Sequence, residues 1–317
     1  MLKSFIGKLI SFALAGVLIF AVAGCGDEEE EKKDNTVNGV VIDDKNGEVV
    51  SSAQARAFFA EMETEKEEIT AETVMKYTYW MKMSTSLTSG ETYSMTAGSR
   101  YSREADYLYT WTQMVNQPVY EYNQDGSVNS RIGTQSSSSG IYAYITDDGN
   151  AIEAIHGHIS GTINGQFSSS SSAQWSYLNE EGETAEEAFE DNLFSGLLDI
   201  MATLLSYENQ MATAIEGITV SDIQIPGCAI QSKGKGHLYV TMDMGIGMSY
   251  LIEYTDYHLS YMKLTIDSSL GDPEIISMTT EMYFKMGECE VTYPDLSTYE
   301  YNEDAITPDI DLDVDLG

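Results

Sequence analysis

The sequence predicts an α+β fold, in which a large curved antiparallel sheet forms a half-barrel and two amphipathic helices pack on its concave face. Three observations carry that expectation. Apolar and polar residues alternate with period two through most of residues 75–293, as in strands with one buried face. Helical spacing is confined to two segments, 51–71 and 184–214. Turn dipeptides such as Asp125-Gly126, Asp148-Gly149 and Asn164-Gly165 recur between strands, which suits a meander.

Taken in order, residues 37–50 read as a short hairpin turning at Asn46-Gly47, or as a continuation of the tether before them. The first helix opens with Ser51 and Gln54 at capping-box spacing and repeats Phe58, Phe59, Met62 and Ile69 on one side. The next strand puts Met75, Tyr77, Tyr79, Met81 and Met83 on one face, with Lys76, Thr78, Trp80, Lys82 and Ser84 on the other. Further strands are expected at 92–97, 105–114, 119–123, 141–146, 151–160 and 166–178. The second helix starts at Thr184, with Glu187 three residues on, and carries one wide stripe that includes Phe189, Leu193, Leu197, Met201 and Leu205. Strands resume at 218–225, 237–244, 248–255, 259–267, 274–286 and 289–293. A sheet of ten or so strands must curl, and curling around two helices makes a concave apolar interior.

Residues 1–24 combine Lys3 and Lys8, an apolar run at 9–22 and small residues before Cys25. That is the pattern of a cleaved secretory signal, and the run is shorter than the ~20 residues a spanning helix needs. Val22-Ala23-Gly24-Cys25 resembles the lipobox of bacterial lipoproteins. The resemblance implies cleavage after Gly24, a covalent diacylglycerol on the sulfur of Cys25 with palmitate-type chains, and attachment to the extracytoplasmic face of a cell membrane or envelope. Residues 25–50 then form the lipidated cysteine and an acidic tether, 51–300 the exported domain and 301–317 an acidic tail.

The formal charge is −35, and it becomes −37 once the signal, with its two lysines and no acid, is removed. Charge of that sign and size repels phosphates, so nucleic acid is excluded as a partner. With Cys25 consumed by lipid, Cys228 and Cys289 remain as an even pair, which leaves two alternatives: a disulfide or two free thiols.

The faces expected to point inward are rich in methionine: Met75, Met81 and Met83 early, and Met242, Met244, Met262, Met278, Met282 and Met286 late. Methionine is flexible and polarizable and accepts varied apolar shapes. Two readings stand side by side, a pliable cavity for a hydrophobic ligand and an ordinary core filled by the helices. The layout of helix, strands, central helix and strands, closing in Val291-Thr292-Tyr293-Pro294-Asp295-Leu296-Ser297-Thr298-Tyr299, resembles the half-barrel lipoproteins related to the periplasmic lipoprotein-carrier (LolA-like) family. That resemblance spans about residues 51–299. It implies an open barrel of about eleven strands with helices as a lid, holding acyl chains or a lipidated partner.

Other motifs carry less chemistry. His156-Gly157-His158 places two imidazoles on one strand face without an identifiable third metal ligand. The tail alternates Asp309, Asp311, Asp313 and Asp315 with aliphatic residues, but it lacks the glycine and terminal glutamate of a calcium loop. No Gly-x-Ser-x-Gly, His-Glu-x-x-His, Cys-x-x-Cys or phosphate-cradling glycine loop is present. The expectation is a non-enzymatic lipoprotein without cofactors other than its lipid. It would bind a lipid or other hydrophobic ligand in a groove lined by Met242, Met244, Met262, Met278, Met282, Leu193, Leu197 and Met201. The alternative is an envelope structural or adhesive protein that meets a protein or glycan through its tyrosine-rich surface; the chain has 21 tyrosines.

Overall fold

The computed structural model describes residues 36–65, 74–123, 128–179, 183–190, 226–245, 247–267 and 275–302, with part of 206–217. The predicted signal, Cys25, the tether as far as residue 35, the strand at 218–225 and the tail from 303 onward lie outside the described residues.

Strands β1 (Thr36–Val37) and β2 (Val40–Val41) form a small hairpin, followed by β3 (Glu48–Val49) and helix α1 (Ser52–Glu65). Six long strands then run as one meander: β4 (Lys76–Leu87), β5 (Thr92–Ser102), β6 (Tyr107–Tyr122), β7 (Val128–Ile145), β8 (Ala151–Ile163) and β9 (Gln166–Tyr177). A second meander contains β10 (Cys228–Ser232), β11 (Leu238–Asp243), β12 (Met248–Thr255), β13 (His258–Asp267) and β14 (Ile275–Met286), and β15 (Glu300–Tyr301) comes last. The sheet order is β15-β9-β8-β7-β6-β5-β4-β14-β13-β12-β11-β10-β3. The two meanders therefore meet at one seam, β4 against β14. Every pairing is antiparallel except β15 with β9. The sheet is curved and open, a half-barrel that does not close, and the helices pack on its inner face.

Both helix starts are built as capping boxes. The Ser51 N–H donates to Gln54 Oε1 at 2.8 Å and the Gln54 N–H to Ser51 Oγ at 3.3 Å. Thr184 and Glu187 repeat the exchange at 3.1 and 3.3 Å, and residues 185–190 are helical. Helix α1 buries Ala55, Phe58, Phe59 and Met62. Phe59 meets Phe58 and Tyr254 edge to face at 5.3 and 5.9 Å. Each such buried side chain contributes ~1.5–3 kcal/mol, which a solvated helix of this length needs to stay formed.

Several sequence expectations need correction. The first hairpin turns at Asn38-Gly39, not Asn46-Gly47: both residues have positive φ, 52° and 84°, as a two-residue turn requires. Gly47 instead permits close approach, since a Cβ there would stand 2.1 Å from the Ser232 carbonyl oxygen. The strands expected at 105–114 and 119–123 are one strand, β6, with a bulge between Met114 and Gln117 where Asn116 takes a φ of 54°. Residues 289–293 form no strand; they run across the outer face of the first meander, where Cys289, Val291 and Leu296 pack against Tyr107, Tyr144 and Ile152. Of the two alternatives left open for the cysteine pair, the structure has two free thiols. Cys228 lies in the helix-covered core and Cys289 against the outer cluster, so the sheet separates the two free thiols.

Candidate ligand-binding face

Residues paired across strands share a face, so the register converts scattered side chains into rows. On the inner face Met81, Met282, Met262, Ile252, Val240 and Ile230 form one row. The next row runs Met114, Met95, Met83, Thr280, Leu264, Tyr250 and Met242. A third holds Thr85, Met278, Ile266 and Met248.

Burial divides these rows. Met242, Met262 and Met282 are 4%, 4% and 2% exposed and belong to the core beneath Met211, Ala212 and Ile215 of the second helical segment. Met244 is half-buried at its margin, and Met278 is half-buried as well. Leu193, Leu197 and Met201 lie outside the described residues. At the far end of the second row Met83, Met95 and Met114 are half-buried side by side on three consecutive strands. Sequence reading missed Met95 and Met114 because each stands alone in its own strand, and only the register aligns them.

Beyond the methionines the inner face turns polar without turning charged. The Met81 row continues through Ala97, Thr112, Ser139, Gly157 and Ser172, and the Met83 row through Ser137, Ile159 and Ser170. Opposite the stretch Tyr77–Thr85, the inner face of β5–β9 carries one formally charged side chain, Glu153. Burial raises the Glu153 carboxyl above the usual carboxylate range.

The outer face is aromatic in the first meander. All three tryptophans of the chain, Trp80, Trp111 and Trp175, stand on it. One row runs Tyr283, Trp80, Gly98, Trp111, Gly140 and His156. The glycines make room for the rings: a Cβ on Gly98 would come within 2.2 Å of Trp111, and one on Gly140 within 2.5 Å of His156 and 2.8 Å of Tyr109. Tyr109 stacks on Tyr142 with centroids 4.2 Å apart. Burial pushes the Tyr109 hydroxyl up and holds His156 below the ordinary histidine range, so the imidazole is neutral at pH 7. His156 Nδ1 lies 3.2 Å from the Tyr299 hydroxyl, and His158 Nδ1 2.8 Å from Ser171 Oγ.

Where the outer faces of the two meanders meet, a hollow of about 490 Å³ is lined by Lys76, Arg100, Tyr283, Lys285, Cys289 and Glu290 among others. No protein-family model matches this sequence, and no curated protein does.

Proposed function

We propose that the protein is a membrane-anchored extracytoplasmic lipoprotein that binds a lipid or other hydrophobic ligand over the inner face of β4–β6, without chemistry of its own. The observation that carries this reading is the half-buried row Met114, Met95 and Met83, which continues the fully covered core outward on the same face. Three adjacent strands give an apolar strip roughly 10 Å wide, and flexible thioethers let it conform to an acyl chain. The absence of charge from the adjoining rows, Glu153 apart, suits a ligand that shuns water. The lipobox at 22–25 supplies the anchor and the address.

The experiment is native mass spectrometry on the chain from Gly26 onward, expressed unlipidated and purified without detergent, followed by organic extraction. A discrete adduct that extraction removes is expected. Exchanging Met83, Met95 and Met114 together for glutamine should abolish the adduct while leaving the melting temperature nearly unchanged. A bare mass in every preparation, unaltered by incubation with mixed membrane lipids, rejects the reading. A second reading, contact with an envelope protein or glycan through the outer face, draws on Tyr177, Tyr293 and Tyr301, each nearly half exposed.

A further inference from the structure

After Cys25 the chain has 14 lysines and arginines against 51 acids, yet five of those cations stand together. Lys76, Lys82, Arg100, Lys263 and Lys285 all face outward on the four adjacent strands β13, β14, β4 and β5. Three of them, Lys76, Arg100 and Lys285, line the hollow at the β4–β14 seam.

Arg100 is the best placed. Its guanidinium lies over the Trp111 ring, 5.5 Å from the centroid, and Trp111 in turn occupies the space that Gly98 leaves open. A cation over an aromatic face is held in orientation without losing its hydrogen-bonding fork. Its acidic partner is held less firmly: Glu290 stands 3.6 Å away with a side chain 77% exposed, against 30% for Arg100. The same imbalance holds at Lys76 and Lys285, whose partners Glu104 and Glu288 are more exposed than they are. Exposed ion pairs of this kind are weak and exchange readily. Cys289 reports the local field: burial, the largest influence, raises its thiol, while Arg100 and Lys76 pull the other way.

We propose that this hollow binds a small monocarboxylate with a planar apolar body, the carboxylate taking the place of Glu290 on Arg100 and the body lying against Tyr283. The volume falls within the range of small-molecule sites. A carboxylate matches the two parallel donors of a guanidinium. A net charge near −37 makes each added negative charge on a ligand less favourable, which prefers a monocarboxylate over phosphates and polyanions. This site is on the opposite face from the methionine strip and is independent of what binds there.

Full-length protein would be titrated with benzoate, with its neutral isostere benzamide and with inorganic phosphate, following tryptophan fluorescence and heat. Benzoate should bind saturably and benzamide should not. Arg100→Gln should weaken benzoate roughly tenfold or more, as expected for losing a hydrogen bond to a charged group. Arg100→Lys should restore only part of that loss, because it keeps the charge without the fork. Glu290→Gln should tighten benzoate several-fold by removing the competitor, an effect that a merely structural ion pair does not predict. Circular dichroism and melting of each variant guard against misfolding. The proposal is overturned by no saturable response up to the solubility of benzoate, by equal binding of benzamide, by tighter binding of phosphate, or by weaker binding in Glu290→Gln.

Discussion

The two meanders of one continuous sheet bury their faces unequally. In β10–β14 the inner side chains Leu238, Val240, Ile252 and Tyr254 are sealed beneath the helices, while the outer side offers Thr241, Ser249, Glu253 and Lys263 to water. In β4–β9 Tyr77 and Tyr101 join that inner core, but the outer side is covered too, Tyr107, Tyr144 and Ile152 lying under the segment after β14, and much of the remaining inner side is methionine and serine left half-covered. The seam of β4 and β14 belongs to both patterns, with Met81 and Met282 paired inside and Trp80 stacked on Tyr283 outside, 5.7 Å between centroids. The lesson is that a sheet this wide need not have one dry face. Each half can recruit its own cover, a pair of helices or a strap of chain, and the uncovered remainder becomes available surface.

If the halves rely on separate covers, damage to each should differ in size and extent. Phe59→Ala removes the side chain that joins α1 to Tyr254, and it should cost ~3–5 kcal/mol in chemical denaturation, with loss of protection throughout the second meander. Ile152→Ala sits in the small outer cluster and should cost ~2 kcal/mol, with faster amide exchange concentrated in residues 289–299. Equal costs, or a global response to both, would show a single shared core. The smallest effect concerns pH. The folded Glu153 has a raised pKa, so between its ordinary and its raised value the folded state binds more protons than the unfolded, and stability rises as pH falls through that window. Glu153→Gln should therefore melt higher than the wild type at pH 7.5, and the gain should disappear at pH 4. His156 shifts in the opposite sense, but it is common to both proteins and cancels in the difference. An unchanged gain at both pH values would mean that the carboxyl is not desolvated.

Fold class and most strands were legible because alternation is a local signal. Met248–Thr255 alternates buried and half-buried residues along its length, and the expected and observed strands coincide. The two strands whose extent the sequence did not reveal, β10 and β7, share one cause, the loss of that contrast. β10 is buried on both faces over Cys228–Gln231 and so shows no period. β7 runs through Ser136–Ser139, where serine gives neither face an apolar residue to mark it. The candidate methionines were legible as a type but not as a place: Met242, Met262 and Met282 proved to be core, whereas Met95 and Met114 acquire meaning only from the register of β5 and β6. The hollow at the seam was invisible for the same reason, since Arg100 and Lys285 are 185 residues apart in the chain.

Among the described residues, only Gln174 and Trp175 of β9 are matched on that strand's open side, by Glu300 and Tyr301. Among the described residues, the stretch from Gln166 to Ala173 has no strand on that side, which makes it a margin of the thirteen-stranded sheet where a further strand could add. The five serines at 168–172 coat both sides of that margin with hydroxyls. A strand that docked along the serines would gain backbone hydrogen bonds but bury little apolar surface, the exposed Phe167 at their start apart, and serine lowers the β-propensity of the template itself. A serine run at such a margin is accordingly expected to make strand addition unrewarding.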